Sequence, residues 1–188
     1  MSDTPTTTGT TNRPPSIFDS CEPRQDVLTG ELAEDQFAAS LADVAHSDDA
    51  PDVYADPRLF FEKTYPTSGL QELLTRLATR FVGAHNDDYT GTNGILRLDT
   101  SFGGGKTHNQ IAAYHLAESP GAVPDLSDFI LDQDISDKYT DAAALGLDVN
   151  SAVFVGTHVD AEDARSNYAD PDAPATKTML GEMAYQLF

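Results

Sequence analysis

Apolar residues recur first at helical spacing and then, further along the chain, in short runs. Phe37, Leu41 and Val44 fall four and three residues apart within Gly30 to His46, the interval that lines one face of a helix. Asp56-Pro57 reads as a helix start, with a capping carboxylate followed by a residue whose fixed φ suits the first turn. The clearest helix follows. Ser68 and Gln71 form a capping-box pattern, and Leu70, Leu73, Leu74, Leu77, Phe81 and Val82 make one stripe that should stop near Gly83. Such a stripe is made for core packing.

From about Gly91 the pattern changes. Gly94 to Asp99 carries Ile95, Leu96 and Leu98 in a run too short for a helix, and it predicts a strand. A glycine-rich loop follows, then an amphipathic helix with Ile111, Ala112, Tyr114, His115 and Leu116, closed by Pro120, Gly121 and Pro124. The stretch around Phe129, Ile130 and Leu131 predicts no definite element. Ala152 to Gly156 predicts a second strand, and a last helix from about Lys177 aligns Leu180, Met183, Ala184 and Leu187. Strand, helix, strand, helix predicts an α/β fold: a parallel sheet with crossover helices, like that of P-loop NTPases. In this division residues 1–22, rich in Thr, Pro, Ser and Asn, are a disordered tail, residues 23–90 a helical segment and residues 91–188 a partial nucleotide-binding domain. Phe188 falls inside an apolar stripe with no cap beyond it, so the sheet is expected to be incomplete on its C-terminal side.

Charge narrows the setting. Asp and Glu number 31 against 11 Lys and Arg, a net charge of −20. The carboxylates are dispersed (Glu34-Asp35, Asp48-Asp49, Asp87-Asp88, Asp160, Glu162, Asp163) and the lysines are few. This suits a halophile's cytoplasm, where salt screens self-repulsion within about 3 Å at 1 M. No basic stripe exists to displace phosphate counterions, so direct contact with nucleic acid is not expected. No apolar run approaches the length of a membrane helix, and the single Cys21 cannot pair internally. A soluble cytoplasmic protein is the expectation.

The chemistry lies in Ser101-Phe102-Gly103-Gly104-Gly105-Lys106-Thr107-His108. A phosphate chain needs donors with no bulky side chains in the way; successive glycines expose backbone N–H groups, and the following helix adds its positive end. Lys106 then reaches the terminal phosphates, and the Thr107 hydroxyl is one ligand for magnesium. The expected ligands are therefore ATP and Mg2+, held by residues 101–108 with Thr107 on the metal. One departure stands out: the usual pattern opens with Gly five residues before Gly105, and here that position is Thr100.

Other constellations are weaker. His158, Asp160, Glu162 and Asp163 are crowded without ligand spacing and read as a solvated loop. His108 and His115 lie seven apart on one helix, whereas a helical metal pair is normally spaced by four, so packing or exposure is expected. Ser101 lacks a nucleophile elbow, and Cys21 lacks a specific partner.

Several blocks resemble the PglY-like ATP-binding proteins: Pro23 to Leu32 followed by Phe37-Ala38-Ala39, Phe60 to Thr67 with Gly69-Leu70, the loop Ser101 to His108, and Val153 to Thr157. These are large proteins, long filed as a domain of unknown function, of bacteriophage-exclusion and phage-growth-limitation systems. The resemblance implies an ATPase component of antiviral defence with protein partners, in which Lys106 and Thr107 carry the nucleotide and metal contacts. Hydrolysis needs an acidic residue after an apolar strand, and Ala152 to Val155 ends instead in Gly156-Thr157-His158. The expected function is thus ATP binding, with hydrolysis if the remaining site is supplied elsewhere. The alternative is a truncated or split non-enzymatic subunit, or gene remnant, that docks through apolar helices. A kinase would use the same loop, but no acceptor site or catalytic carboxylate is evident.

Overall fold

Short polar caps define most of the helices. The computed structural model describes residues 16, 21–23, 25–30, 38–86, 94–99, 105–123, 125–156 and 176–188. Residues 1–15 and 17–20 of the tail, Phe37, and Asp160, Glu162 and Asp163 lie outside the described residues. The chain divides into two units, Met1–Glu34 and Asp35–Phe188. In the first, α1 spans Gln25–Thr29. The second contains α2 (Leu41–His46), α3 (Asp52–Ala55), α4 (Pro57–Lys63), α5 (Ser68–His85), α6 (Lys106–Glu118), α7 (Gln133–Ala144) and α8 (Met179–Leu187).

The caps follow the sequence closely. Asp56 accepts from the N–H groups of Arg58 and Leu59 at 2.8 and 3.0 Å, with Pro57 at the first helical position as expected. The cap of α5 is one residue earlier than the capping-box pattern predicts. Thr67 accepts from the Leu70 N–H, and Gln71, instead of turning back to the cap, donates to the Asp128 carbonyl at 2.9 Å. A tertiary carbonyl, and not the local N–H of a capping box, is the partner of this side chain.

The second unit's core is helix on helix. Leu70, Leu74, Ala78 and Val82 of α5 pack with Ile111, Ala112 and Leu116 of α6, Phe60 and Phe61 of α4, and Tyr139 and Ala142 of α7. Leu74 and Ile111 are fully buried; each such side chain contributes about 1.5–3 kcal/mol relative to exposure. Helix α7 occupies a stretch for which the sequence pattern predicts no element. Its buried positions are Ser136, Tyr139 and Ala142, one of them polar and one small, so its apolar signal is faint.

The expected α/β fold is overturned. Helix takes up 57% of the described residues, and none of them forms a β-strand. Gly94–Asp99 forms no regular element: Ile95 is 88% accessible, Leu96 and Leu98 are half-buried, and Arg97 pairs with its near neighbour Asp99. Ala152–Val155 is half-buried, yet its backbone is held by side chains. The Val153 N–H donates to Gln186 Oε1 at 2.7 Å, while its carbonyl accepts from Gln186 Nε2 at 3.2 Å. An apolar run becomes a strand only when a second backbone meets these groups; at Val153 a glutamine amide meets them first.

Helix α8 also departs from its pattern. Thr178 caps it, accepting from the Gly181 N–H. The residue it buries is Glu182, whose carboxylate accepts from Thr176 and Gln186, while Leu180 is 74% exposed.

Candidate functional site

Helix α6 starts differently from its neighbours. Helices α2, α4, α5, α7 and α8 begin with a side-chain oxygen from Ser40, Asp56, Thr67, Asp132 and Thr178 bonded to a first-turn N–H. Helix α6 begins at Gly105, which has no side chain to offer. Its φ of +71° and ψ of 20° are left-handed, a region that costs residues with a Cβ about 1–2 kcal/mol. Glycine therefore accommodates the left-handed residue at the helix start and offers the first-turn N–H groups no side-chain cap. Among the described residues, nothing lies within 4 Å of where a Cβ on Gly105 would point.

The first turn also carries no acidic residue, in a chain of net charge −20. Lys106, exposed, and Thr107, half-buried, are its first two residues. Unpaired N–H groups and the helix dipole place the equivalent of about half a positive charge at such an end. A positively polarised helix start without a side-chain cap, with an ammonium and a hydroxyl in its first turn, can accept an anion, and the hydroxyl is a hard oxygen ligand suited to Mg2+. Ser101, Phe102, Gly103 and Gly104 lie outside the described residues.

His108 is placed differently. Its ring turns into the core and lies on Phe60, with centroids 4.5 Å apart and planes 30° apart. Nε2 is 2.9 Å from Thr64 Oγ1, and Thr64 Oγ1 is 2.6 Å from the Phe60 carbonyl. The carbonyl can only accept, so the hydroxyl proton of Thr64 goes there and Nε2 of His108 donates to Thr64. One of the eight candidate residues thus faces the protein with its side chain and can face a ligand only with its backbone.

His115 repeats the arrangement two turns on. It is 2% exposed, and Nε2 donates to the Tyr54 carbonyl at 2.7 Å. Its ring lies 5.3 Å from that of Phe60. Burial holds both imidazoles below their ordinary range; for His115 the Tyr54 carbonyl and Asp56 pull the other way without reversing it. Of the two outcomes left open by their spacing, packing or exposure, both histidines pack. Among the described residues no group of three or more His, Cys, Asp or Glu is arranged to hold a metal.

Thr64 and Tyr54 are the members of this arrangement that sequence reasoning did not single out. Thr64 lies 44 residues before its partner, and Tyr54 lies 61 before His115. No spacing rule links such pairs. The described residues also include no helix long and apolar enough to cross a membrane.

Against known proteins, the model of a family described as the DUF499 N-terminal domain matches residues 17–188. No curated protein and no solved structure matches the chain.

Proposed function

We propose, from the premise that this chain belongs to the DUF499 N-terminal domain family, that its loop and helix at residues 101–118 bind the phosphates of ATP with magnesium. The observation that carries the reading is the start of α6: a glycine-capped, acid-free helix end whose first two side chains are Lys106 and Thr107. In this reading the N–H groups of Lys106, Thr107 and His108 donate to phosphate oxygens, Lys106 neutralises the terminal phosphates, and the Thr107 hydroxyl binds the metal. The negative surface does not prevent this, because distant charges are screened in concentrated salt while contacts at the helix end act at short range. The reading rests on local geometry and does not require a parallel sheet.

A role for this binding in antiviral defence, with protein partners, rests on the resemblance of residues 23–32 and 37–39, 60–67 and 69–70, 101–108 and 153–157 to the PglY-like proteins. Titration of the full chain with a fluorescent ATP analogue and magnesium in molar KCl tests the binding. Saturable binding that weakens at least about tenfold in Lys106→Ala supports the reading. No binding by folded wild type refutes it.

A second reading, docking to a protein partner without enzymatic activity, is favoured by α8, where Met179 and Leu180 are 61% and 74% exposed while Glu182 is buried. Under that reading Leu180→Glu leaves nucleotide binding intact and abolishes co-purification with the partner.

A further inference from the structure

The imidazole of His108 joins two parts of the chain that are otherwise far apart in sequence. It sits in the first turn of α6, two residues after Lys106, yet its ring meets Phe60 of α4, Thr64 at the end of that helix and, edge-on, Tyr54 of α3. Thr64 is 8% exposed and is fixed by its own bond to the Phe60 carbonyl. The imidazole therefore meets an acceptor whose position and lone-pair direction are already set. A ring held at its face by Phe60 and at its edge by Thr64 has little rotational freedom. The body of α6 is fixed by Ile111, Ala112 and Leu116 in the core; holding His108 fixes its first turn as well, where the N–H groups of Lys106 and Thr107 and the Thr107 hydroxyl lie.

We propose that His108 is a positioning residue of the phosphate site, anchored by Thr64 and Phe60 so that α4 sets the aim of the first turn of α6. The inference rests on the nucleotide-binding reading above. It assigns the imidazole no contact with the ligand. The helix start alone would bind an anion in several orientations; the anchor selects the one in which backbone donors and the metal-ligating hydroxyl serve the same phosphate chain.

The test is a double-mutant cycle on the full chain, read as affinity for Mg·ATP in molar KCl with folding checked by circular dichroism. Thr64→Val keeps the shape and removes the acceptor; Thr64→Ser keeps the hydroxyl and serves as the rescue. His108→Leu removes the donor. Thr64→Val and His108→Leu are each expected to weaken binding about tenfold, and the double variant no further, because both break one contact. Thr64→Ser should bind within about threefold of wild type. Wild-type affinity in Thr64→Val, or single effects that multiply to about a hundredfold in the double variant, overturns the inference alone. Should His108→Leu not fold, Thr64→Val against Thr64→Ser decides by itself: equal affinities overturn the inference, and a loss confined to Val supports it. Absence of binding by folded wild type overturns the nucleotide reading and this inference together.

Discussion

The hydroxyl of Tyr139 donates to the carbonyl of Leu116 at 2.6 Å, tying α7 to the last turns of α6. That carbonyl is among the final four of α6, which have no partner within their own helix. Tyr139 is 2% exposed, and burial pushes its ionisation well above the usual range, so the donor proton is retained. Tyr139→Phe leaves the carbonyl buried and unpaired and should lower stability by about 1–3 kcal/mol. Denaturant unfolding should show a lower midpoint with an unchanged slope.

Stability should depend on pH through the two packed histidines. Both have folded-state values below the ordinary 6.5, chiefly through burial. Below that pH the unfolded chain binds more protons than the folded one, so this contribution is fully present above 6.5 and is lost as the pH falls through the folded-state values. Unfolding midpoints measured from about pH 5 to 8 should give a smaller acid-side slope in His115→Gln than in the wild type. Equal slopes would show that His115 titrates alike in both states.

Gly105 is required for its backbone, since nothing among the described residues crowds a Cβ there. Gly105→Ala should therefore cost about 1–2 kcal/mol, and Gly105→Asn less, because asparagine tolerates the left-handed region better. A stability ranking of Gly, Asn, then Ala in thermal melts checks it. Equal stability of Ala and Gly would contradict a left-handed residue 105.

Gln186 is expected to hold the 151–155 segment in place through Val153. Gln186→Leu removes the side-chain partner of the Val153 N–H and one of the donors to its carbonyl; His46 Nε2 remains 3.2 Å from that oxygen. At about 1 kcal/mol for a lost bond, amide exchange at Val153 should accelerate several-fold while exchange in α5 is unchanged. Unchanged exchange at Val153 would show that the glutamine does not restrain it.

What the sequence determined by itself is local. The stripe from Leu70 to Val82, the Asp56-Pro57 start and the turn into Lys106 depend on residues within a few positions of one another, so helix periodicity, capping and glycine chemistry make them readable. The candidate anion site is legible for the same reason: Gly105, Lys106 and Thr107 are consecutive.

The tertiary structure decided the rest, because the deciding partners are distant along the chain. Helix α7 has a weak apolar face of its own and is fastened through Tyr139, and the Gln71 side chain donates to the distant Asp128 carbonyl. Ala152–Val155 has the composition of a strand, but a strand needs another backbone, and Val153 instead meets Gln186, 33 residues away. His108 is decided in the same way. Its position in the sequence suggests a ligand contact, and only the fold reveals the buried hydroxyl of Thr64 that claims its ring nitrogen.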